Sequence, residues 1–232
     1  MRTMILTLIG VLALQCLVAQ NQPKIESYPF GGHNVSIFVM PFTDDNPIKI
    51  GTVSKTGEIT FDFPADFKVP EEERKSISSE LWFTLFSKCD NGMEMIAPEN
   101  NLFSFRAGYI SIFTENDRYA GILFPVSDED VVTWLNDPAY TDAVPGSYYE
   151  LVYVEAPFKY TGECSATDAT SEGEVKVGYS YQLDLKAGFN FLKVVVEGVQ
   201  KTDPNVRAAF PNKISVSNTD DIPDCLWFGR YF

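Results

Sequence analysis

Around residue 60 the apolar side chains fall on every second position: Ile59, Phe61 and Phe63 alternate with Glu58, Thr60 and Asp62. A period of two describes a strand with one face on a core and the other in water; a helix, with its 3.6-residue period, cannot use it. Residues 50–54 and the turn Lys55-Thr56-Gly57 come just before, so the block reads as a hairpin. Gly57 supplies the positive φ of a tight turn, and Pro64 ends the second arm. The pattern recurs along the chain. Residues 35–40 (VSIFVM) are β-branched and aromatic. Residues 109–114 and 119–124 flank the polar loop Glu115-Asn116-Asp117-Arg118, residues 148–154 form another strand, residues 179–185 and 191–196 flank Lys186-Ala187-Gly188, and residues 214–217 are a late strand. About nine short strands separated by turn signals predict an all-β fold, an antiparallel β-sandwich or open barrel with one or two short helices.

Two segments carry helix signals. Ser127-Asp128-Glu129-Asp130 reads as a capping box leading into Val131, Val132, Trp134 and Leu135, with Pro138 as the stop. Pro70 followed by Glu71-Glu72-Glu73 suits a helix start, which predicts a short helix or turn near 70–77 and, from its aromatic content, a strand over about 80–87. Residues 164–174 and 219–224 read as acidic surface loops. Trp82 is read as core, Trp134 as packing down on a sheet, and Asn190 as bonding the backbone of its own turn. No repeat or long linker divides the chain, so residues 21–232 are expected to form one domain.

Residues 1–20 (MRTMILTLIGVLALQCLVAQ) have the order of a secretory signal peptide: Arg2, an apolar run, then Ala19 before a polar stretch. The run is shorter than the ~20 residues of a spanning helix, so no transmembrane span is expected after processing. Cys16 raises lipidation as an alternative, against which stands Gln15 where a small residue is usual. The expected location is secreted or periplasmic, in the cell envelope. Export implies oxidising conditions, and Cys89, Cys164 and Cys225 remain after processing. Three pairings are open; Cys89 with Cys164 is preferred as a bridge between strand ends, with Cys164–Cys225 its rival.

The formal net charge is −14, from 18 basic and 32 acidic residues, and removal of residues 1–19 takes one Arg and no acid with it. Such a field repels phosphate backbones, so nucleic acid is excluded as a partner. The chain has a single histidine, His33, after Gly31-Gly32, and no G-x-S-x-G turn, which leaves a Ser-His-Asp site without parts and a three-histidine zinc site impossible. Glu150 and Glu155, at odd spacing, face opposite sides of a strand. The oxygen-rich loops Asp44-Asp45-Asn46, Asp128-Glu129-Asp130, Asn136-Asp137 and 218–221 suggest calcium only weakly, because the EF-hand spacing is absent. Aromatics beside polar groups suit sugar binding, and Trp227, Tyr148 and Tyr149 are the candidate platform. Phe232 matches the terminal aromatic of outer-membrane barrels, but Arg230 would then face lipid.

Two stretches carry a resemblance. Asn34-Val35-Ser36-Ile37, Ile50-Gly51-Thr52-Val53 and Thr56-Gly57-Glu58-Ile59-Thr60-Phe61-Asp62-Phe63-Pro64 form the first, and Tyr181-Gln182-Leu183-Asp184-Leu185-Lys186-Ala187-Gly188-Phe189-Asn190 the second. Together they resemble uncharacterised secreted proteins and lipoproteins of bacterial envelopes, with Phe189 where those chains usually have Trp. The first hairpin is also similar to the start of prealbumin-like sandwich domains, such as the regulatory domains attached to carboxypeptidases. The resemblance implies a fold and a location and no activity. The expected function is therefore that of an exported, non-enzymatic β-domain with a structural role or with a glycan or envelope protein as its partner. The alternative is a carboxylate-dependent glycoside hydrolase or related secreted hydrolase.

Overall fold

A computed structural model describes residues 22–30, 35–39, 47–65, 67–69, 71, 74, 80–114, 118–138, 141–170, 173–201 and 209–232. The signal-like segment 1–20, His33 and Asp44-Asp45-Asn46 lie outside them, as does most of 70–77.

The described chain is all-β with two short helices. Its strands are β1 (Ile25–Glu26), β2 (Val35–Val39), β3 (Ile48–Val53), β4 (Ile59–Phe61), β5 (Ser104–Arg106), β6 (Ile110–Phe113), β7 (Tyr119–Val126), β8 (Gly146–Val154), β9 (Phe158–Thr170), β10 (Gly173–Leu185), β11 (Gly188–Lys201), β12 (Ala209–Thr219) and β13 (Leu226–Tyr231). The helices are α1 (Leu81–Phe86) and α2 (Glu129–Asn136). The strands form one mixed sheet that folds on itself without closing into a barrel. One half runs β4-β3-β2-β6-β7 and continues through β13 to β1; the other runs β5-β8-β11-β12-β10-β9. The halves meet in a single ladder pair, Val126 with Tyr148.

The two halves face each other across a core. Ile37, Val39, Ile50, Val53, Ile59, Ile112, Leu123 and Trp227 come from the first half, Phe105, Leu151 and Phe191 from the second. The opposite face of the second half buries Val152, Val154, Val177, Leu183, Leu192 and Val216 under Leu81, Leu85 and Phe86 of α1. The strands β8 and β11 thus have a core on each side, which is why both faces of Leu151-Val152 and Phe191-Leu192 are apolar. On the outer face of the first half, α2 covers Ile122, Phe124 and Val126 with Val131 and Val132.

The β3–β4 and β6–β7 hairpins form as the sequence predicts. Gly57 has φ +87°, and the Ser54 hydroxyl accepts the Thr56 and Glu58 N–H groups across the turn. Residues 179–185 and 191–196 are strands, but they are not partners: β12 inserts between them, parallel to β10 and antiparallel to β11. Asn190 holds the 186–188 turn, and Asn218 of β12 bonds the backbone N–H and carbonyl of Asp184 in the space the two strands leave. Within 80–87, residues Leu81–Phe86 form a helix rather than a strand, because Leu81 and Leu85, one turn apart, share the buried face with Thr84. Nor do the described residues of 164–174 form a surface loop: residues 164–170 belong to β9 and 173–174 to β10, its antiparallel partner, where Ala166, Val175 and Val177 are buried and Asp90 accepts hydrogen bonds from the Thr167 N–H and hydroxyl.

Cys89, just after α1, is bonded to Cys164 within β9, with Cα atoms 5.8 Å apart, so the bridge fastens the helical layer to the sheet edge. Cys225 is free and half-buried. At α2 the cap is Asp128, whose Oδ1 accepts the Val131 N–H; Ser127 instead donates to Asp128 and accepts the Ser147 N–H, joining helix and sheet. Among the described residues no helix is long and apolar enough to cross a membrane.

Candidate functional site

The outer face of the first half-sheet is apolar well beyond the reach of α2. Phe38 on β2, Phe113 on β6, Tyr119 on β7 and Phe232 after β13 lie side by side, with ring centroids 5.1, 5.7 and 5.7 Å apart in that order. The ladders explain the alignment. Phe113 is directly opposite Tyr119, Phe38 is diagonal to Phe113, and the Phe232 N–H bonds the Ala120 carbonyl. Gly121 lets β13 approach: a Cβ there would lie 2.2 Å from the Arg230 carbonyl oxygen. Tyr119 is 47% exposed and Phe232 71%, and their rings are nearly parallel, 19° apart. The Arg230 guanidinium sits 5.4 Å over the Phe232 ring. Tyr109, 61% exposed, continues the aromatic surface toward Phe124, 6.1 Å away.

Beside Tyr109 the sheet forks. The outer edge of β8 pairs with β5 over Val152–Val154 and with β7 at Tyr148 alone, so the ladder skips Tyr149, Glu150 and Leu151. A cavity of about 300 Å³ opens there, walled by Ile110, Leu123, Phe124, Leu135 and Leu151, with Tyr109 on its lining. Its polar side is the ion pair of Arg106 and Glu150.

The candidate platform residues fall differently from expectation. Trp227 is fully buried beneath Phe61 and Phe191, donating its indole N–H to the Pro223 carbonyl at 3.3 Å, so it anchors the C-terminal strand and offers nothing to a ligand. Tyr148 and Tyr149 both border the cavity, yet their rings go to opposite faces of β8. Tyr148 sits where three apolar clusters meet and packs edge-on to Trp134; burial raises its phenol well above the ordinary range. Tyr149 packs toward the central core near Cys225, and burial raises it too. Neither is an exposed platform. The row of half-buried Phe38 and Phe113 and exposed Tyr119 and Phe232 is readable only in part: the alternation Leu226, Phe228, Arg230, Phe232 marks one outer face, but which strands lie beside it depends on pairing.

The acids divide among separate partners. Glu150 pairs with Arg106, and Glu155, past the end of β8, with Arg74 at 2.5 Å. Among the described residues Glu150 is the one carboxylate lining the cavity, where a glycosidase would need two about 5–10 Å apart. Among the described residues no three His, Cys, Asp or Glu side chains come together as metal ligands, and Asp128 is occupied in capping α2. The Cys225 thiol is pushed up to about 12 by burial and then by Asp224, which keeps it in the unreactive protonated form.

Compared with models of protein families, with curated proteins and with solved structures, the chain matches none.

Proposed function

We propose that this chain is an exported, non-enzymatic binding module of the cell envelope or extracellular space, and that the row of Phe38, Phe113, Tyr119 and Phe232 is its glycan platform. The observation that carries the reading is the exposure of Tyr119 and Phe232 in stacked geometry at the open end of the aromatic row. Exposed apolar patches of this kind mark interaction surfaces, and the flat faces of sugar rings are apolar enough to lie on aromatic rings while their edges seek hydrogen bonds. Arg230, over Phe232, and Arg118, next to Tyr119 in sequence, provide donors at the row. The signal-like 1–20 segment and the Cys89–Cys164 bridge both fit an oxidising compartment.

A glycan array probed with the disulfide-bonded protein tests this. The native protein is expected to retain a restricted set of glycans, and the double variant Tyr119→Ala, Phe232→Ala to lose them by at least about tenfold, each stacked ring contributing about 1 kcal/mol or more. An unchanged far-ultraviolet spectrum of the variant shows that the loss is local. An array on which native protein and variant bind alike would refute the reading.

A further inference from the structure

The cavity at the sheet fork is independent of the aromatic row. It exists because β5 and β7 leave the same edge of β8 in different directions, and α2 closes the gap with Leu135. At about 300 Å³ it lies at the small end of ligand sites. Its walls of Ile110, Leu123, Phe124 and Leu151 suit an apolar ring. The Arg106–Glu150 pair decides what that ring can carry. A carboxylate would meet Glu150 and the negative field of a chain with net charge −14. An ammonium would meet the Arg106 guanidinium. A hydroxyl disturbs neither partner, since it donates to the carboxylate and accepts from the guanidinium at once. The geometry points to a binding site for an uncharged aromatic alcohol, its ring among the apolar walls and its hydroxyl on the Arg106–Glu150 pair. Tyr109, 61% exposed, stands on the lining where such a ring would enter.

Titration of the full, disulfide-bonded protein with 2-naphthol, followed by the ligand's fluorescence, tests the assignment against 2-naphthoate, which has the same rings and a negative charge. One 2-naphthol is expected to bind per chain, saturably, with 2-naphthoate at least about tenfold weaker. Glu150→Gln releases Arg106 from its partner and is expected to reverse that order in favour of 2-naphthoate, a gain of binding that unfolding cannot imitate. Leu135→Trp fills the space and is expected to abolish binding of both, whereas Tyr119→Ala, on the row, leaves 2-naphthol affinity unchanged. The assignment is overturned by absence of saturable 2-naphthol binding, by binding that survives Leu135→Trp or is lost in Tyr119→Ala, or by 2-naphthoate affinity that does not rise in Glu150→Gln.

Discussion

Asn190 and Tyr231 show how unevenly single side chains serve this fold. Asn190, 7% exposed, accepts the Lys186 N–H at 3.0 Å and donates to the Lys186 and Gly188 carbonyls at 2.8 and 2.9 Å, so the turn between β10 and β11 has its polar groups satisfied from inside. That role is legible in the sequence, because an Asn two residues past a turn glycine has few other uses. Tyr231 is the opposite case. Its hydroxyl is buried and, among the described residues, meets no hydrogen-bond partner, and Gly229 is what leaves it room, since a Cβ there would lie 2.1 Å away. Desolvation accordingly pushes its phenol up to about 12. Removing an unsatisfied hydroxyl should help the fold, so Tyr231→Phe is expected to raise stability by about 1 kcal/mol in urea unfolding, read from the midpoint at unchanged slope. A loss of stability on that substitution would mean that the hydroxyl does have a partner.

At the scale of elements, the hairpins β3–β4 and β6–β7 were readable because each is closed by a local turn with its own signal, and local signals are what a sequence displays. The insertion of β12 between β10 and β11 was not. Parallel pairing of β10 with β12 joins residues more than 30 positions apart, such as Tyr179 with Ile214, and no local residue announces it. The sequence of α1 predicts a strand because aromatic residues favour strands when half-buried, and only the burial of Leu81, Thr84 and Leu85 on one side favours the helix. The preferred bridge forms, though its surroundings differ from those expected: Cys89 follows a helix and Cys164 lies inside a strand. With its ends 75 positions apart, the bridge restricts the unfolded chain strongly. Its replacement by Cys89→Ser and Cys164→Ser together is expected to cost about 4 kcal/mol by the chain-entropy estimate. Calorimetry should show the loss as a lowered melting temperature with the strand content of the spectrum retained.

Across the whole molecule the buried phenols set an alkaline limit on the fold. Burial raises Tyr148, Tyr179, Tyr181 and Tyr231, with Tyr179 and Tyr231 pushed up to about 12. In the unfolded chain these groups titrate at about 10. Their neutral forms therefore support the fold fully below about 10, and that support is lost as the pH rises toward 12, because the unfolded state releases protons that the folded state keeps. Urea midpoints are expected to begin to fall near pH 9, where the Cys225 thiol of the unfolded chain titrates while burial keeps the folded one protonated, and to fall steeply above pH about 10, with tyrosinate absorbance appearing in step with unfolding. Full tyrosinate absorbance from a still-folded protein would contradict the burial of this cluster.

The aromatic row exists only when β2, β6, β7 and β13 are assembled in one sheet. Hydroxyl-radical footprinting with mass spectrometry, with and without the glycan most strongly retained on the array, measures that surface residue by residue. Ring oxidation at Phe113, Tyr119 and Phe232 is expected to fall several-fold in the presence of the glycan, while the exposed Phe83 on α1 oxidises as before. Protection confined to other residues, with Tyr119 and Phe232 oxidised equally in both samples, would contradict the assignment of this face as the binding surface.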